Sequence, residues 1–165
     1  MSQSAIIQKD VARAFSVRSK KLFHRTNDQI YAIVGDNPEE GLVSDVWFNH
    51  FDSQADFQAV LEYIATLFEE GRYSYWLADL RFLASDFGPS EPWLVKELMP
   101  RVIRAGLARE AVVLPSSAVE AEGEDVYKTA SQALQDIADG RVRGFTDIAL
   151  AKRWLFKGDL PDQSV

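Results

Sequence analysis

Two short, almost wholly apolar runs, Tyr75-Trp76-Leu77-Ala78 and Ala111-Val112-Val113-Leu114, constrain most strongly what this chain can fold into. An apolar run of this length without alternation reads as a strand covered on both faces, the pattern of parallel pairing. Between them a helical segment opens at Ser90-Glu91-Pro92, carries Val95, Leu98, Met99, Val102 and Ile103 on one stripe, and ends near Gly106. Strand, helix, strand is the unit from which parallel sheets are built. Pro100 lies inside that helix and predicts a kink, because proline lacks the backbone donor and its ring clashes with the preceding turn.

Upstream the pattern differs. Leu22-Phe23 and Ile30-Tyr31-Ala32-Ile33-Val34 are β-type runs separated by Thr26-Asn27-Asp28, a turn composition, and read as a hairpin. The segment Gly35 to Gly41 reads as a second turn, and Leu42 to Phe48 as a third strand with Val46 and Phe48 on one face and Trp47 on the other. Ser53 opens the most regular helix, where Ser53 and Asp56 have capping-box spacing and Phe57, Val60, Leu61, Ile64, Leu67 and Phe68 recur at threes and fours before Gly71. A further helix is expected over 124–139, a short strand over Val142 to Phe145, and a closing helix capped by Asp147 and carrying Ile148, Ala151, Trp154 and Leu155. The expected fold is α/β, a single-domain mixed open sheet with antiparallel N-terminal strands, parallel central strands and helices packed on it.

At 165 residues the chain is sized for one domain. Its expected organisation is an N-terminal arm over 1–19, the domain over 20–158 and a polar tail over 159–165. The absence of cysteine excludes disulfides, thiolate metal sites and Cys nucleophiles and fits a cytoplasmic location. No apolar stretch is long enough for a membrane span. The net charge of −7 is uneven: Lys9, Arg13, Arg18, Lys20, Lys21 and Arg25 face only Asp10 among the first 25 residues, so the remaining body is strongly acidic. Such a body repels phosphate backbones, which argues against nucleic acid as partner, and the basic arm reads as a solvated, partly ordered tail.

The stretch Tyr75 to Arg81, then Glu91-Pro92-Trp93-Leu94-Val95, Leu98-Met99-Pro100-Arg101, Ala105-Gly106-Leu107 and Ala111 to Pro115, resembles the bacterial SpoIIAA-like branch of the STAS (sulfate transporter and anti-sigma factor antagonist) domain family. The closing Phe145-Thr146-Asp147 with Ala151 and Trp154-Leu155 is similar to that family's last strand and helix, so the resemblance covers roughly residues 20–157. It implies a non-enzymatic regulatory domain acting through a protein partner or as a homodimer. A second branch of the fold implies a small apolar ligand or lipid held between sheet and helices. The resemblance also implies a phosphoacceptor serine after a central strand, in a motif like Asp-Ser-Ser/Thr-Gly; here Ser85-Asp86 stands where Asp-Ser is found in the family.

Ligands of open α/β sheets favour the crevice beyond the strands' carboxyl ends. That rule selects Asp79, Arg81, Ser85, Asp86 and Ser90 after the first central strand and Ser116 and Ser117 after the second, a set suited to a small ligand or a phosphoryl group. The plainer alternative makes Asp79 and Arg81 a local ion pair and the serines turn and cap residues. Trp47, Phe51 and Trp93 are candidate interface or pocket aromatics. Only His24 and His50 are available as imidazole bases, no nucleophile, metal or nucleotide motif accompanies them, and neither an enzymatic activity nor a cofactor is expected.

Overall fold

A computed structural model describes residues 10–115 and 139–158. Six strands form one mixed sheet in sequence order: β1 (Arg18–His24), β2 (Ile30–Asn37), β3 (Leu42–Asn49), β4 (Tyr75–Leu83), β5 (Arg109–Val113) and β6 (Val142–Phe145). The first three pair antiparallel and β3 to β6 pair parallel. The two apolar runs lie side by side, with Leu77 opposite Ala111 and Ala78 opposite Val112.

One face of the sheet is covered by α2 (Gln54–Glu69) and by a composite helix, α3, made of Glu91–Trp93, a π turn Leu94–Leu98 and Met99–Arg104. The other face is covered by α1, residues 10–15, and by α4 (Ile148–Lys157). Alternation along the strands sorts the core accordingly. Val43, Trp47, Trp76 and Leu80 face α2 and α3, whereas Leu42, Val46, Phe48, Leu77, Ala111 and Val113 face α1 and α4.

The local signals act where expected. Asp56 accepts the backbone N–H groups of Asp52 and Ser53, each at 3.0 Å, fixing the first turn of α2. Asp147 accepts the Leu150 N–H at 2.9 Å at the start of α4. At its other end Gly158 turns back with φ 70°, and Arg109 donates to the Leu155 carbonyl at 2.7 Å, satisfying an acceptor the last turn leaves open. Pro100 acts through the π turn in α3: the Met99 N–H reaches back five residues to the Leu94 carbonyl, and this wider turn makes room before the ring.

Four expectations need correction. Residues 35–37 belong to β2 and not to a turn. The strand begun at Tyr75 continues through Asp79 and Arg81 to Leu83, because the two charges pair with each other inside it. The arm is partly ordered as expected, but its ordered part is not solvated: Val11 and Phe15, four residues apart on α1, are buried under the sheet beside α4. The sheet also has no reversal of strand order, so the crevice at a switch point, on which the strand-end rule rests, is absent. The helix expected over 124–139 falls almost wholly outside the described residues, as does the tail over 159–165.

Gly35 marks the tightest approach in the hairpin. A Cβ there would lie 2.5 Å from Val17 Cγ1 and 2.6 Å from the Arg18 carbonyl oxygen, and the backbone oxygen cannot swing aside. Gly35→Ala is therefore expected to destabilise the fold by about 1–3 kcal/mol, measured as a lower urea midpoint.

Candidate functional site

Among the described members of the expected strand-end set, Asp79 and Arg81 are placed apart from Ser85, Asp86 and Ser90. Asp79 and Arg81, two apart on β4, both lie on the α1/α4 side. Arg81 grips Asp79 through Nε at 2.9 Å and Nη2 at 2.8 Å and reaches Asp10 of α1 at 3.0 Å, so the pair is the local ion bridge of the plainer alternative, extended to the arm. These hydrogen bonds, Asp79's foremost, raise the Arg81 guanidinium pKa above its ordinary value and hold it charged.

Ser85 does stand beyond the carboxyl ends of β3 and β4. Its Oγ lies 3.2 Å from His50 Nδ1 and accepts the Phe51 N–H at 3.2 Å, an arrangement that closes the loop. The other ring nitrogen of His50 meets no carboxylate among the described residues. Asp86 accepts the Gly88 N–H at 2.8 Å in a local turn. Ser90 is fully buried, its hydroxyl donating to Gln54 at 2.5 Å and accepting from Gln58 at 3.2 Å, and ties α3 to α2. Ser116 and Ser117 lie outside the described residues.

A different group of residues converges on the opposite face. Between the sheet and α2/α3 lies a cavity of about 70 Å³. Parallel register sets its floor: Val43, Trp76, Glu110 and Val142 form one row across β3 to β6, and Asp45, Ala78, Val112 and Gly144 form the next. The small side chains of Ala78 and Gly144 leave the space open, while Phe57 and Leu61 from α2 and Phe87, Leu94 and Met99 close it from above. Phe57 and Phe87 stack at 5.1 Å with rings 9° apart, and Phe57 also meets Trp47 at 5.2 Å. Trp47 thus belongs to the wall of a pocket, with Phe51 packed behind it; Trp93 is half-buried at the edge of the same core.

Two carboxyls enter this apolar space. Asp45 accepts an indole N–H on each oxygen, from Trp76 on Oδ1 and from Trp47 on Oδ2, both at 2.5 Å. Burial pushes its pKa up to about 6, against the two indole donors, and the charge of Asp79 adds to the rise. Glu110 is also buried, and its Oε1 has no hydrogen-bond partner among the described residues. Burial, and then the charge of Asp45, drives its pKa well above the ordinary carboxylate range. No basic side chain is among the described residues lining the cavity.

Such an arrangement can enclose a small molecule, offer it aromatic walls and accept hydrogen bonds from it. The described residues contain no group of three or more His, Cys, Asp or Glu placed to hold a metal ion. Sequence reasoning passed over Asp45 and Glu110. The available signal was that both are acids inside strands otherwise covered on both faces, where an interior polar residue is buried by default.

In class the chain is an α/β protein with a mixed sheet enclosed between helices, and none of its described helices is long and apolar enough to cross a membrane. No family model, curated protein or solved structure matches it.

Proposed function

We propose that this chain is a non-enzymatic binding module for a small molecule, of which a few non-hydrogen atoms are held between the sheet and helices α2 and α3. The observation that carries this reading is the cavity itself: a roofed space walled by Trp47, Trp76, Phe57 and Phe87, with carboxyls in its floor. Concave, mostly apolar sites with a few convergent polar groups are where small ligands bind. The STAS resemblance supplies the wider context, a regulatory domain whose occupancy is passed to a protein partner. A concave, aromatic-lined cavity favours the ligand as the primary contact, because among the described residues Leu22 is the one large apolar side chain that stands exposed.

The test is thermal unfolding of the purified chain with a panel of small alkyl compounds of up to about five non-hydrogen atoms. A ligand that binds only the folded state raises the melting temperature progressively with its concentration. Ala78→Leu, which places a larger side chain in the cavity floor, is expected to abolish that rise while leaving the chain folded. Equal rises in both proteins, or none in either across the panel, would contradict the proposal.

A further inference from the structure

We propose that the cavity recognises the positively charged head of a small organic cation, an alkylammonium or amidinium group, set between the carboxyls of Asp45 and Glu110 and against the aromatic wall. This rests on the reading of the cavity as a ligand site and names the chemistry that site selects.

The first observation is the orphaned oxygen. Glu110 is 5% exposed, lines the cavity, and its Oε1 meets no donor among the described residues. A buried polar atom left unpaired costs stability, and a protein that retains one holds an acceptor ready for a donor from outside. An ammonium or amidinium group carries only donors.

Charge is the second observation. Asp45 and Glu110 enter one space with no Lys, Arg or His among its described lining residues. The indole donors of Trp47 and Trp76 are already committed to Asp45, and they hydrogen-bond its carboxylate without cancelling its charge. An anionic head meets the Asp45 carboxylate and no basic side chain, and a purely apolar molecule leaves Glu110 unpaired. A cation answers both needs: it favours release of the proton that burial keeps on Glu110, and its desolvation is offset by the carboxylates it pairs with and by the negative faces of the surrounding rings.

Size is the third. An apolar cavity of about 150 Å³ takes benzene, so the 70 Å³ here has room for roughly three to five non-hydrogen atoms, the size of a head group or of a very small amine. Asp45 on β3 is opposite Ala78 and Glu110 on β5 is opposite Trp76, so the two carboxyls enter the cavity from adjacent rows of the same sheet face. A donor group in the cavity meets Asp45 from the Ala78 row and Glu110 from the Trp76 row.

The experiment follows the indole N–H resonances of Trp47 and Trp76 by NMR in the full chain. Propylammonium and acetamidinium are titrated against propanol and acetamide, their neutral counterparts of the same size. The proposal expects saturable shifts of these two indoles with the cations, at affinities about tenfold or more above the neutral compounds. In Glu110→Gln, which keeps the shape and removes the group that ionises against the cation, the cation affinity should fall by about tenfold while that of the neutral compounds is unchanged. Neutral compounds binding as tightly as the cations, or a Glu110→Gln affinity equal to wild type, overturns the cation assignment and leaves the cavity as a ligand site. If neither kind of compound moves the two indoles, both readings fall.

Discussion

Replacing Arg81 by Met should destabilise the protein by about 3 kcal/mol, the low end of what breaking a buried ion pair costs. Asp79 has no exposed surface, and Arg81 supplies its two side-chain hydrogen bonds. Without the guanidinium, the carboxylate keeps only the Arg81 backbone N–H at 3.1 Å, which is why the low end applies. The loss also releases Asp10, and with it the tie between α1 and the sheet. Urea unfolding measures the effect, and the double variant Asp79→Leu with Arg81→Met is its control: with both charges gone, most of the stability should return. A single variant within about 0.5 kcal/mol of wild type would show that the pair is not buried as described.

The second large effect is a dependence on pH that Glu110→Gln reverses. Both cavity carboxyls hold their protons more tightly in the folded chain than an unfolded chain would. Below about pH 4 both states are protonated and neither group contributes. As pH rises, the unfolded chain loses these protons first, so folding must take protons up and stability falls. For Asp45 the fall runs from about pH 4 to about pH 6 and amounts to about 3 kcal/mol. For Glu110 it continues above the ordinary carboxylate range, because burial and then the charge of Asp45 raise its pKa well above that range.

Exposed acids pull the other way. Asp52, lowered first by the Thr26 backbone N–H, and Glu69, lowered first by Arg101, add stability as pH rises through the acid range. The clean quantity is therefore the difference between Glu110→Gln and wild type, which should be small near pH 5 and grow to about 1–3 kcal/mol in favour of the variant at pH 8. Denaturant titrations across that range measure it. A difference that stays constant with pH would mean that Glu110 is solvated and ionised as in any surface carboxylate. Asp45→Asn is a poorer probe, since the amide's single oxygen would face two indole donors.

Most of the architecture was legible because its signals are local. The apolar runs at Leu77 and Val112, the helical spacing from Phe57 to Phe68, the Ser53 and Asp147 starts and the hairpin at Thr26-Asn27-Asp28 each depend on neighbours a few residues away, and each forms as expected. The misses share a different cause. Asp79 and Arg81 read as the end of a strand because two charges in succession on one face are costly alone; together they are an internal pair, and only the buried face makes that pair necessary.

Asp45 and Glu110 escaped notice for a related reason. A single acid in an alternating strand looks like a residue turned to water, and whether it is depends on which helices cover that face. Register across three strands brings these two carboxyls to one cavity from positions 65 residues apart in the chain. Val11 and Phe15 were likewise too few to define a helix alone and are held by the sheet and α4.

Native mass spectrometry of the chain purified from its own host, beside Ala78→Leu prepared in the same way, tests most directly whether the carboxyl-floored cavity is a binding site. Wild type should carry one small molecule per chain, positively charged in its free form, and the variant with the filled cavity should carry none. The same retained mass in both proteins, or a bare chain in both, would contradict it.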